Sequence, residues 1–319
     1  MSTPHRNHTP EQQQENRFGT TDLLLLLMTI IWGSNFTVIK YSLDDMLPLA
    51  FNGLRFVIAS SVILVALRLA SRGPKVARAD LWKLFGIGLI GNTFYQSVFI
   101  LGLARTRAGN GALIIATTPL FTALYERLRG QEYFTRMGIV GLWLAFSGIV
   151  LVIAGGKSEV SFRETALGDL MVLSATVSWV FYTVGSRPLV EKYGPVKATA
   201  IMMASGTPPL LLICAPSLLR QDWSRVGGLA WGGVVYSALL AIALAYLIWN
   251  YGVKRIGSTR TAIYSNFTPV VAMLVAWPAL GEVPTAGQLI GAAVIFAGIY
   301  LVRGGMIAGT PPGHRPSAQ

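Results

Sequence analysis

Residues 108–153 read AGNGALIIATTPLFTALYERLRGQEYFTRMGIVGLWLAFSGIVLVI, and residues 258–303 read STRTAIYSNFTPVVAMLVAWPALGEVPTAGQLIGAAVIFAGIYLVR. Laid over one another without a gap, the two stretches agree at twelve of 46 positions. Pro119 falls on Pro269, Glu132 on Glu282, Thr135 on Thr285 and Gly141 on Gly291. Both copies are long apolar runs, so the chain carries the same membrane-spanning pattern twice. A twofold repeat of apolar helices is a common plan for carriers, because two similar halves can rock about a shared central site.

Composition supports a membrane reading. Of 319 residues, 53% are apolar and 13% charged, where a soluble domain carries about 25% charge. About 20 apolar residues span the hydrocarbon as a helix. Ten such stretches are predicted: 23–40, 47–67, 84–103, 110–128, 136–155, 168–186, 197–215, 229–252, 258–278 and 285–302. The runs are continuous rather than alternating, which excludes a lipid-facing barrel. The predicted fold is all-α and integral to the membrane. Little chain is left for a soluble domain.

The net charge of +12 reads as topology. With the N-terminus inside, 18 Lys and Arg fall on inner segments and 7 on outer loops. The positive-inside rule then puts both termini in the cytoplasm of a multi-pass inner-membrane protein, with no nucleic-acid partner. The single Cys214 allows no internal disulfide. Residues 1–20 and 304–319 read as loose cytoplasmic tails, and the first lacks the short apolar core of a signal peptide.

The repeat extends outward. At an offset of 147, Trp32 meets Trp179, Lys40 meets Arg187 and Pro48 meets Pro195. The halves are then 21–156 and 157–303, five helices each. Five is odd, so the halves have opposite orientation: an inverted repeat, with the substrate site expected where they meet.

Trp32-Gly33-Ser34-Asn35-Phe36 with Lys40, then Pro48 through Phe56, resembles the opening of an EamA-type member of the drug/metabolite transporter superfamily. Ala112–Pro119 with Glu132, and Ala262–Pro269 with Glu282, are similar to the ends of that family's two repeats. The resemblance implies a ten-helix carrier of small metabolites, often an exporter of amino acids or related compounds. It leaves the substrate open.

Several residues are candidates to line a path. Pro119 and Pro269 are predicted as bends near the middle of helices 4 and 9, opening a cavity or simply kinking a packed helix. Asn92 and Gln96 are four apart on helix 3, with Tyr95 and Phe99 beside them; Tyr246 and Asn250 repeat the pattern on helix 8, with Trp249 adjacent. Tyr264, Ser265, Asn266 and Thr268 precede the proline of helix 9. Asn35 and Tyr182 match at the offset of 147. Each polar group either faces a cavity or bonds a neighbouring helix. Trp32 and Trp179 are near mid-helix, where an interfacial belt does not explain them; they contact substrate or fill the core. Arg55, three residues from Asn52, is the one charge well inside a span; it holds a substrate carboxylate or a structural partner.

Absences narrow the function. All three histidines, His5, His8 and His314, are in the tails, and no Asp or Glu lies near a helix midpoint. No zinc-binding motif, phosphate-cradling loop or nucleophile elbow is present. No cofactor, metal or catalytic residue is therefore expected. The reading is a secondary transporter, monomeric in the lipid bilayer, moving a small polar metabolite by alternating access, with export the expected direction. An uptake carrier for a vitamin or sugar-like compound is the alternative. An integral-membrane enzyme acting on a lipid-linked substrate is the reading from another class. Leu25 is expected to face lipid.

Overall fold

The structure, a computed structural model, describes residues 19–69, 74–130, 132–155, 162–304 and 306–308. Most of both expected tails, 1–18 and 309–319, lies outside the described residues. Among those residues the helices group into ten stretches. They are α1 Thr20–Ser42, α2 Pro48–Leu69 and α3 Arg78–Arg105. Next come α4a Ala108–Ile115 with α4b Thr118–Leu128, and α5 Arg136–Gly155. The second half holds α6 Phe162–Tyr193, α7 Pro195–Arg220 and α8 Gly228–Ile256. It ends with α9a Ser258–Tyr264, α9b Thr268–Leu280 and α10 Ala286–Gly304.

Seven of these are long and apolar enough to cross a membrane: α1, α2, α3, α6, α7, α8 and the joined α9. The apolar parts of α5 and α10 are shorter, and α4 is split into two pieces. Large apolar side chains point outward all round, among them Leu23, Leu27 and Ile30 on α1, Trp143 on α5, Leu212 on α7 and Leu274 on α9. Such a surface needs a hydrocarbon solvent. Leu25 is a correction. It is fully buried, because α1 turns it against α8, where a Cβ on Gly252 would stand 2.9 Å from it.

Local structure repeats along the chain. α3 contains a π-helical turn at Leu89–Phe94, and α8 contains one at Ser237–Leu244. α4 breaks at Ala116–Thr117, and α9 passes through a 3₁₀ turn at Ser265–Phe267. Pro119 and Pro269 each follow such an interruption directly. Each sits in the first turn of a new half-helix, where a missing N–H costs nothing.

Packing follows the same pairing. α2 lies against α7 and α5 against α10; α3 packs on α6 as α1 packs on α8. Ser60 and Thr207, 147 residues apart, share a hydrogen bond of 2.6 Å between α2 and α7. The α5–α10 seam is glycine-lined: a Cβ on Gly148 would come within 2.7 Å of the Ile295 backbone, and one on Gly141 within 2.7 Å of the Gly298 carbonyl. Small residues let backbones approach where lipid supplies no hydrophobic drive. One departure from an all-helical chain is a two-stranded antiparallel ribbon, β1 Glu132–Phe134 with β2 Met306–Ala308. Residues 306–308, expected as loose tail, pair their backbone there.

Candidate functional site

The mid-membrane aromatics meet at the centre of the bundle. Trp32 on α1 lies edge-on to Trp179 on α6, ring centroids 5.8 Å apart, and 5.3 Å from Trp249 on α8. The Trp32 indole Nε1 donates to the carbonyl of Ala241, inside the π turn of α8, at 2.8 Å. Tyr95 on α3 stacks on Phe99 at 5.6 Å and tilts against Trp179 at 5.0 Å. Tyr246 closes the cluster, 5.1 Å from Trp179. These rings wall a narrow cavity, part of it continuous with the outside.

Its walls come in pairs. Trp32 and Trp179 match at the offset of 147. Gln96 with Tyr246, Phe99 with Trp249, Ile115 with Ser265 and Thr118 with Thr268 match at 150. The π turns, α4 break and 3₁₀ turn lie beside these positions, so the irregular backbone borders the cavity, as expected at membrane depth.

Arg55 enters from α2. It is 1% exposed. Its Nε donates to Asn52 Oδ1 at 2.9 Å and its Nη2 to Gln96 Oε1 at 2.8 Å. Gln96 Nε2 in turn donates to the Tyr246 hydroxyl at 2.6 Å. Asn52 Nδ2 donates to the Gln96 carbonyl at 3.3 Å. The guanidinium carbon lies 5.3 Å from the centre of the Phe51 ring. Among the described residues Arg55 belongs to no ion pair.

Of the twelve predicted lining residues, Trp32, Asn35, Arg55, Tyr95, Gln96, Trp179 and Tyr246 border the cavity. The other five do not. Asn92 donates to the carbonyl of Met202 on α7 at 2.9 Å. Tyr182 stacks behind Trp179 at 4.7 Å and accepts from Asn250, which also reaches Thr199, both at 2.9 Å. Tyr264 donates to Asp22 at the start of α1. Asn266 leaves its Oδ1 buried without a partner. Phe36, Ile115, Thr118, Ala241 and Ile242 also line the cavity and were not predicted. Projecting Ser265 and Thr268 back by 150 residues would have found Ile115 and Thr118.

A polar cluster ties the helix ends at one end of the bundle. Lys40 Nζ donates to the Thr106 carbonyl at 2.9 Å. Asp169, fully buried, accepts from the Thr106 hydroxyl and from Asn110 Nδ2, the latter at 3.1 Å. Gln288 Nε2 donates to Asn110 Oδ1 at 2.6 Å. Glu282 accepts from the amides of Ala108 and Gly109 at 3.2 and 3.4 Å, capping α4a. At the other end Glu126 is buried, with one carboxylate oxygen unpartnered. Neither Asp169 nor Glu126 lines the cavity. Among the described residues no group of three His, Cys, Asp or Glu is placed to hold a metal.

Comparison with known proteins agrees with this architecture. The EamA-like transporter family is matched twice, over residues 19–154 and 166–304. The uncharacterized transporter YyaM of Bacillus subtilis is 30% identical over 285 residues, covering 88% of this chain and 93% of that protein. A protein of Streptantibioticus cattleyicolor named as a probable terminal-alkyne amino-acid exporter is 29% identical, covering 87% and 91%. One of Salmonella typhimurium, named as a probable amino-acid metabolite efflux pump, is 29% identical over 87% and 93%. A solved crystal structure superposes with a TM-score of 0.63 at 21% identity, covering 88% of this chain and 96% of that one, which extends the likeness to the fold. The relatives are transporters rather than enzymes, and this chain belongs to the EamA-like transporter family.

Proposed function

We propose that the chain is a secondary carrier that moves small polar metabolites, amino acids or related compounds, across the inner membrane by alternating access, with export as the direction. The ten helical stretches act as two inverted halves of five, with both termini cytoplasmic. The observation that carries the reading is the paired wall of the cavity, in which each half supplies the counterpart of the other: Trp32 and Trp179, Phe99 and Trp249, Thr118 and Thr268. A site shared between equivalent halves can be exposed to either side by exchanging their conformations. The names of the Streptantibioticus and Salmonella relatives support amino-acid-like cargo and export.

The substrate contacts on this reading are Trp32, Asn35, Arg55, Tyr95, Gln96, Trp179 and Tyr246, joined by Trp249 and Thr268. Tyr182, Asn92 and Asn250 act one layer out, by holding the lining helices. Purified protein in liposomes should exchange a labelled member of a panel of amino acids and related metabolites for the same compound trapped inside. Folded protein with no flux for any member would overturn the reading.

A further inference from the structure

We infer that the transported compound is a carboxylate with a flat, apolar body, and that Arg55 is the residue that receives the carboxylate. This rests on the carrier reading and names the substrate class of that same cavity. The cavity wall has sixteen residues, of which seven are aromatic and one, Arg55, is charged. Among the described residues no carboxylate and no histidine borders it. A buried cation without a counter-ion is costly, and the cost falls when an anion arrives with good geometry.

Arg55 is poised for that role. Asn52 and Gln96 occupy Nε and Nη2, and among the described residues Nη1 makes no hydrogen bond. Two acceptors therefore hold the guanidinium plane still, and the edge carrying Nη1 is left for a ligand. A fixed, planar guanidinium matches the two-oxygen edge of a carboxylate. Both acceptors are neutral amides and the Phe51 ring face is neutral too, so among the described residues no anion balances the charge.

The remaining wall suits an apolar body. Trp32, Trp179, Trp249, Tyr95 and Phe99 have neighbouring ring centroids 5.0 to 5.8 Å apart, and an aromatic wall of this kind can take a flat apolar group stacked on it or set edge-on to it. A substrate amine finds no carboxylate here. It rests at most against an aromatic face, which is a weaker contact than an ion pair. The amine is thus tolerated but not required, and the carboxylate is required.

The test uses the full-length chain and a matched series: 3-phenylpropanoate, phenylalanine, phenethylamine, 3-phenylpropanol and propanoate. Binding is read from the fluorescence of the cavity tryptophans in detergent, and transport from exchange in liposomes. The two compounds that have both the ring and the carboxylate should bind at least about tenfold more tightly than the amine, the alcohol and the ring-less acid, since a site built around one polar group rejects analogues lacking it. Arg55→Gln should erase the preference for carboxylate over alcohol, and Arg55→Lys should retain part of it. If Arg55→Gln does not fold, the series on the unaltered chain decides alone. Amine or alcohol binding as tightly as the acids, or no member binding, overturns the proposal. Transport of phenethylamine in preference to the acids would sink the substrate class and leave the carrier reading standing. Selective binding of the acids without flux would do the reverse.

Discussion

At the scale of single residues, position in the hydrogen-bond network separates groups that look alike. Gln96 and Asn92 are both buried amides on α3, but Gln96 bridges Arg55 to Tyr246, whereas Asn92 bonds the α7 backbone at Met202. Gln96→Leu strips an acceptor from a buried guanidinium, and such a loss costs about 1–3 kcal/mol. It is expected to lower both the melting temperature and the exchange rate per folded molecule. Asn92→Ala removes one interhelical bond, worth about 0.6 kcal/mol on average in a bundle. It should leave exchange within about twofold of the unaltered chain once rates are normalised to folded protein. Equal losses of exchange at the two positions would show that the cavity boundary is drawn wrongly. Leu23→Ala, on the lipid-facing side of α1, serves as the silent control that Leu25 cannot be.

At the scale of helices, irregular turns decide which side chains share a face. A π turn has a wider spiral than an α turn. The one at Leu89–Phe94 changes the phase of α3, so Asn92 and Gln96, four apart, point at different neighbours. The i, i+4 rule assumes an unbroken α-helix; here it misassigned Asn92 for that reason. The α5–α10 pair gives an element-level test. A side chain at Gly148 would collide with the backbone of α10, with its Cβ 2.7 Å from Ile295 N. Backbone cannot yield as a side-chain tip can, and overpacking costs about 1–3 kcal/mol or more. Gly148→Val should lower the melting temperature in detergent, and the equivalent Gly298→Val should do the same. A pair of unchanged melting temperatures would show the seam to be looser than it is drawn. Pro119→Ala is expected to be nearly neutral in the same assay, because that position begins a half-helix rather than kinking a whole one.

For the whole molecule, the cluster of Lys40, Thr106, Asn110, Asp169, Glu282 and Gln288 joins both halves at one end. Its repeat counterparts at the other end are engaged differently: Arg187, the match of Lys40, pairs with Glu191 at 2.9 Å, and Asp22, the match of Asp169, accepts from Tyr264. Weakening the first cluster should shift the population toward a form open at that end, since a conformational equilibrium moves by the difference in contact energy between its states. With Cys214→Ser and Ile115→Cys as background, Asp169→Asn should speed labelling of the new thiol by an impermeant maleimide about fivefold, the equivalent of ~1 kcal/mol. Slower or unchanged labelling would show that the cluster does not govern access. Coupling is the other global property. Among the described residues no Asp, Glu or His lines the cavity, and arginine stays charged throughout the neutral range. A pH gradient between 6.5 and 8, imposed at constant voltage, should therefore change the exchange rate by less than about twofold. Steep acceleration would point to Glu126, the buried carboxylate with an unpartnered oxygen.

The sequence by itself determined what depends on composition and spacing. Uncharged apolar runs must leave water, so the helices and their membrane setting were legible. A constant offset survives folding, so Trp32 and Trp179 could be matched before any contact was known. The tertiary structure alone decided which buried polar groups face the cavity. A polar residue on an interior helix face satisfies the same requirement whether its partner is a neighbouring carbonyl, as for Asn92, or another cavity side chain, as for Gln96. Asn35 and Tyr182 are equivalent by offset, but only Asn35 reaches the cavity, while Tyr182 lies behind Trp179. Burial and a hydrogen bond are demanded in either place. The choice between them is made by helix rotation, and π turns and half-helix breaks set that rotation through contacts between segments some 150 residues apart.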